Sequence, residues 1–280
     1  MLSRVPFAPE LFSAPVLQRV LDRRRRERLW SMPFYDGLLS GEIDALVGSF
    51  AGVPEVHHPV RGRIKGEPAF RRYVGETIAR LAERNVEVED INVASGGARG
   101  VEEVVLHVDG DGGRIGLPVA LAADHDEDER ILELRLYFSS WALTGRHANR
   151  PPLLQADADL REPDVVGAYQ RALATGDVDA VLETFEPGGS MREPAGDAYL
   201  HRGADELRAL YERFFSNGGG IRLERCAVTD DGRACALEYN VVAWGRTALP
   251  PEAGLAVYVR GESGKLAAAR VYDDAEPPLA

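Results

Sequence analysis

The feature that most constrains this chain is that its second half repeats its first at a nearly constant spacing. Residues of the same type recur 135 positions apart: Gly41 and Gly176, Asp44 and Asp179, Ala45 and Ala180, Phe50 and Phe185, Pro59 and Pro194. The spacing slips by two at Lys65-Gly66 against Arg202-Gly203. It returns at Glu103 and Glu238, Arg135 and Arg270, and Tyr137 and Tyr272. A slip that recovers is what a longer loop in one copy produces, so the pattern reads as a duplication of one structural unit. At 280 residues the chain accommodates two domains, each large enough to bury its own core.

Each copy has the same internal grammar. Residues 163–185 read as helices broken at Thr175-Gly176-Asp177, where glycine ends one helix and an acid begins the next. Residues 203–215 carry Leu207, Leu210, Tyr211 and Phe214 at helical spacing. Strand patterns follow over 221–229, 234–244, 254–260 and 266–272, separated by turns rich in Gly and Asp. In the first copy the counterparts are 33–50, 67–83 and strands from 86 to 139. Helices first and antiparallel strands second predict an α+β architecture: two tandem cone-shaped domains, each with N-terminal helices packed on a curved, mostly antiparallel sheet. The expected boundaries are an N-terminal helical extension over 1–32, domains over 33–144 and 163–280, and a linker over 145–162 containing Pro151-Pro152. The extension includes an amphipathic stretch at 16–30 whose Arg23–Arg26 run is expected on a solvated face.

Composition narrows the function classes. A net charge of −12 argues against a nucleic-acid partner, because phosphate binding needs a positive surface. No apolar run nears the roughly 20 residues that span a bilayer, and the first residues lack a basic segment leading into an apolar stretch, so the expectation is a cytoplasmic protein with no membrane partner. Cys226 and Cys235 flank the turn at 230–233 and are expected as reduced core thiols; no metal-ligand spacing accompanies them. The chain contains no phosphate-binding glycine loop, Gly-x-Ser-x-Gly, His-Glu-x-x-His or dinucleotide fingerprint, so neither cofactor nor metal is expected.

The run Tyr169-Gln-Arg-Ala-Leu-Ala-Thr-Gly-Asp-Val-Asp-Ala-Val-Leu-Glu-Thr-Phe185, then Glu193-Pro194, then Arg202-Gly203 opening a helix, resembles the SnoaL-like, ketosteroid-isomerase-like branch of the nuclear transport factor 2 superfamily. The resemblance implies a cavity in each cone and assigns Glu193 to the general-base position and Tyr169 to the oxyanion-donor position. The third position, a protonated Asp in ketosteroid isomerase, falls at or beside Ala256. In the first copy the same positions hold His58, Phe34 and about Leu121, so His58 is the candidate proton carrier there. Strand alternation in the second copy places Glu238 and Asn240 on one face and Tyr239 on the other; these three and Trp244 are candidate substrate-binding residues. The implied function is a cofactor-independent acid–base enzyme, isomerase or cyclase in type, acting on a small hydrophobic molecule chiefly in the C-terminal cone. The alternatives are a non-catalytic ligand-binding or assembly protein and an epoxide hydrolase. Cones of this family pair through their sheets, which implies a pseudo-dimer within one chain and leaves room for further homodimerisation. Arg135 and Arg270 are expected to pair with the strand carboxylates Glu103 and Glu238.

Overall fold

A computed structural model describes residues 34–110 and 113–278. The expected extension over 1–32, with its amphipathic stretch, lies outside them. The chain divides into two compact units, Met1–Leu136 and Tyr137–Ala280.

In the first unit, helices α1 (Phe34–Ser40) and α2 (Ile43–Gly48) precede β1 (Glu55–His58), β2 (Gly62–Lys65) and the long helix α3 (Glu67–Glu83). Strands β3 (Glu87–Gly96), β4 (Arg99–Gly110), β5 (Gly113–His125) and β6 (Ile131–Tyr137) complete it. The sheet order is β2-β1-β6-β5-β4-β3, with β1–β2, β3–β4 and β4–β5 antiparallel and β1 parallel to β6. Helix α3 buries Phe70, Tyr73, Val74 and Leu81, a stripe at three- and four-residue spacing that lays one face on the core. Phe50 meets Phe70 edge to face at 5.1 Å.

The second unit repeats this plan. A short helix α4 (Trp141–Thr144) is followed by α5 (Asp164–Thr175), α6 (Val178–Glu183), β7 (Phe185–Arg192), β8 (Leu200–Arg202) and α7 (Gly203–Phe214). Then come β9 (Ile221–Asp230), β10 (Ala234–Trp244), β11 (Thr247–Arg260) and β12 (Leu266–Val271), in the order β8-β7-β12-β11-β10-β9. The identical strand order, with β7 parallel to β12 as β1 is to β6, is the duplication expressed as structure. Each unit is an α+β cone with helices on a curved, mostly antiparallel sheet.

The predicted break between α5 and α6 has a specific cause. Gly176 ends α5 with φ of +75°, and a Cβ there would come within 2.7 Å of the Gly219 backbone, so only glycine fits. Asp177 then accepts a hydrogen bond from the Ala180 N–H at 3.0 Å and starts α6 as an N-cap. Helix α7 buries Leu207, Leu210, Tyr211 and Phe214, the four residues its spacing marked.

Two differences from the sequence reading have physical reasons. Strands β1, β2, β7 and β8 are additions; β7 contains Pro187-Gly188-Gly189 and lacks the alternation that advertises a strand. Strand β11 starts seven residues before the expected position 254, at Thr247, although Pro250 and Pro251 follow. The register passes from Val241 opposite Glu252 to Ala243 opposite Ala248, so both prolines sit in a bulge, where a missing N–H costs no ladder bond. Cys226 and Cys235 are free thiols, and Asp230 rather than Cys226 stands opposite Cys235. Arg135 pairs with Asp124 at 2.6 Å and Glu133 at 3.0 Å, acids of the neighbouring β5 and of its own strand, while Glu103 accepts from Asn92 at 2.8 Å. Among the described residues no helix is long and apolar enough to cross a membrane.

Candidate functional site

The second unit holds a partly open cavity of about 260 Å³ between its helices and its sheet. Tyr169 enters it from α5, Phe214 from α7, Tyr239 and Trp244 from β10, and Tyr258 from β11. The walls are aromatic and aliphatic, and Phe214 and Trp244 meet edge to face at 5.2 Å, with the indole N–H donating to the Phe214 carbonyl at 2.7 Å. Such a wall is suited to apolar rings, and polar groups set in it stand out.

One carboxyl stands out among those groups. Asp273, two residues past the end of β12, lines the cavity and accepts the Tyr239 hydroxyl proton at 2.7 Å on Oδ2. Burial pushes its pKa up from 3.8 to about 6, and the neighbouring Asp274 adds to the rise; the Tyr239 hydroxyl and the Ala275 N–H pull the other way without cancelling it. A carboxyl titrating there exists in both protonation states near neutral pH, the condition for moving protons in either direction. The sequence held a trace of it. At the repeat spacing the first copy carries Phe138-Ser139 where the second carries Asp273-Asp274, a polar departure at the end of an otherwise matching strand.

Tyr169 also faces the cavity. Its hydroxyl lies 2.9 Å from that of Tyr211, and burial pushes its pKa up to about 12, so it stays protonated and can donate a hydrogen bond. Tyr258 accepts from Gln170 Nε2 at 2.6 Å, which leaves its own proton for another acceptor. Ala256 is buried and apolar and does not line the cavity, whereas Asp273 does.

The remaining sequence candidates separate. Glu193 lines the cavity, but its Oε1 meets both Arg213 Nη2 and His201 Nε2 at 2.7 Å. Its carboxylate is thus paired with a guanidinium and an imidazole at the cavity edge. Tyr239 and Trp244 line the cavity; Glu238 and Asn240 do not, because strand alternation turns them to the other face of β10. There Glu238 accepts from the Tyr137 hydroxyl at 2.7 Å, and Asn240 donates to the Leu154 carbonyl at 3.3 Å. His58, in the first unit, caps the turn after β1: its Nδ1 accepts from the backbone N–H groups of Val60 and Arg61 at 3.1 and 3.2 Å.

Residues 166–269 match the family model of the SnoaL-like domain. The second unit is a SnoaL-like domain. Similar solved structures include a candidate polyketide cyclase from Sinorhizobium meliloti, 22% identical, covering 39% of this chain and 94% of that one with a TM-score of 0.34. Another is SalBIII, an epoxide hydrolase/cyclase-like enzyme in pyran ring formation in the polyether salinomycin, 21% identical, covering 39% and 87% with a TM-score of 0.34. A third is a SnoaL-like protein of unknown function from Burkholderia thailandensis, 19% identical, covering 39% and 90% with a TM-score of 0.31. No curated protein matches the chain. Asp273 lies beyond the stretch that the SnoaL-like model matches.

In the first unit Glu55, His57 and Glu133 bring ligand atoms within 4.8 Å of one another. Their carboxylates already pair with Arg63 at 2.5 Å, Lys65 at 2.6 Å and Arg135 at 3.0 Å, so the cluster is an ion-pair network whose negative charge is spent on cations of the chain itself.

Proposed function

We propose that the SnoaL-like second unit is a cofactor-independent acid–base enzyme, isomerase or cyclase in type, acting on a small apolar molecule bearing a carbonyl or hydroxyl group. The observation that carries this reading is Asp273, a carboxyl with a pKa of about 6 at the wall of an aromatic cavity, oriented by Tyr239 at 2.7 Å. Asp273 exchanges a proton with the bound molecule. Tyr169, kept protonated, donates to the oxygen on which negative charge develops, an interaction worth more in a dry cavity than in water. Glu193 and Arg213 form a charged edge that holds polar substituents without moving the proton.

The test uses 2-tetralone, an apolar two-ring ketone, in D₂O, with α-proton exchange followed by NMR and binding followed by tryptophan fluorescence. The wild-type protein is expected to accelerate exchange, Asp273→Asn to lose about 100-fold of that rate, and Glu193→Gln to stay within about tenfold. A wild-type protein that binds the ketone and exchanges none of its protons is a binding protein, and the enzyme reading fails.

A further inference from the structure

The cavity holds a second group suited to proton transfer, and it comes from the segment that precedes the SnoaL-like match. His147 lines the cavity with 19% of its side chain exposed, its ring stacked on Trp141 at 4.8 Å and 23°. Its Nδ1 lies 3.1 Å from Asp274 Oδ1. Asp274 is buried and accepts from Ser139 Oγ at 2.6 Å, Ser140 Oγ at 2.6 Å, Ser140 N–H at 3.0 Å and Ala148 N–H at 2.7 Å. A carboxylate receiving four donors is an acceptor toward the fifth, so Nδ1 carries the hydrogen and Nε2 is left with its lone pair. An imidazole whose one nitrogen is held by a buried carboxylate, and whose ring is clamped by an indole, has fixed orientation and a counter-charge for the imidazolium it becomes.

The other polar groups of the cavity do not fill this role. Glu193 is taken by Arg213 and His201, and the phenol of Tyr169 is held protonated by burial. Asp273 and His147 line the same cavity. The carboxylates around His147 are Asp273, Asp274 and Glu252, and Glu252 is buried with its Oε2 lacking a partner among the described residues.

We propose that His147 is a second catalytic residue, the base that works opposite Asp273 on a carbonyl substrate bearing an acidic α-hydrogen. This rests on the acid–base reading of Asp273. The α C–H bond breaks, its proton passing to His147 Nε2 and its electron pair staying on the substrate as the new carbon–carbon double bond. The carbonyl oxygen takes the proton of the Asp273 carboxyl, forming the enol O–H. One proton leaves the substrate and one arrives, leaving imidazolium beside Asp274 and carboxylate beside Tyr239. Where the substrate carries a β,γ double bond the enol is a dienol, and return of the His147 proton to its γ-carbon, with the enol O–H proton going back to Asp273, completes an isomerisation.

The experiment is α-proton exchange of 2-tetralone in D₂O with full-length wild type, His147→Ala and Asp273→Asn, each with and without added imidazole. Alanine leaves Asp274 its four other donors, and thermal melting checks that the fold is retained. Expected are a loss of about 100-fold in His147→Ala, at least tenfold recovery with imidazole, and no recovery in Asp273→Asn. His147→Ala within twofold of wild type, with Asp273→Asn impaired, overturns the role of His147 and leaves the acid–base reading standing. A loss in His147→Ala that imidazole does not restore shows a structural role and also overturns the proposal. Absence of exchange in wild type, or unimpaired exchange in both variants, overturns both.

Discussion

Replacing Asp273 by asparagine is expected to stabilise the second unit at neutral pH, and by an amount that depends on pH in a defined way. The carboxyl has a folded-state pKa of about 6 against an ordinary value of 3.8. Below 3.8 it is protonated in both folded and unfolded chains and contributes nothing to the difference. Between these values the unfolded chain releases a proton that the folded protein keeps, so stability falls as pH rises; above about 6 both are ionised and the loss is complete. At about 1.4 kcal/mol per pH unit the wild type gives up about 3 kcal/mol across this window. The substituted amide does not titrate and keeps an acceptor oxygen for Tyr239. The stability of Asp273→Asn minus that of wild type should therefore rise by about 2.4 kcal/mol from pH 4 to pH 7.5, the rest of the change lying below pH 4, and level off beyond. Urea unfolding followed by tryptophan fluorescence in a Trp30→Phe background reads the second unit, since the other two tryptophans, Trp141 and Trp244, lie in it, and subtraction removes the titration of groups common to both proteins. A difference that stays flat across the window would refute the argument that burial raises this carboxyl. One that falls with rising pH would reverse its sign.

Gly176→Ala forces a side chain into a left-handed position and against the Gly219 backbone, so it should lower the melting temperature of the second unit by several degrees, about 1–3 kcal/mol, in differential scanning calorimetry. Asp177→Ala removes the N-cap of α6 and should cost about 1 kcal/mol in urea unfolding. In the first unit Arg63, with Lys65 behind it, holds the Glu55 carboxyl down at about 2 from 4.5, so its stabilising effect is complete above 4.5 and is lost as pH falls through 2. Glu55→Gln should accordingly melt earlier than wild type at pH 7, with the gap closing as pH drops from 4.5 toward 2.

The helices and long strands were legible because they rest on local periodicity and on the Gly176-Asp177 break, whose chemistry is written in two adjacent residues. The repeat spacing conveyed the duplicated topology, since identical strand orders need no long-range information beyond the match itself. Strands β7 and β8 were not legible: β7 is paired by β12 and β8 by β7, and Pro187-Gly188-Gly189 hides the first of these. Within the site, Tyr169, Tyr239 and Trp244 were found because each sits on a regular element whose inward face could be deduced. Alternation divided Glu238 and Asn240 from Tyr239 but could not say which face was concave. Asp273 and His147 escaped because both lie off the regular elements. Their placement depends on contacts beyond the reach of local pattern, 34 positions for Asp273 with Tyr239 and 127 for His147 with Asp274.

The five donors gathered on Asp274 bear on how this protein could be cut, shuffled or inherited. The recognisable domain spans 166–269, yet the carboxylate beyond its end is satisfied entirely by residues 139–148, ahead of its beginning. A fragment trimmed to the recognisable span would discard both halves of that clasp and Asp273 with them, while one that kept the tail and lost residues 139–148 would strand a buried carboxylate without hydrogen bonds. What reads in the sequence as the end of the first copy and the start of the spacer is thus structural property of the second copy, and a recombination event that respects the visible seam would still break the module.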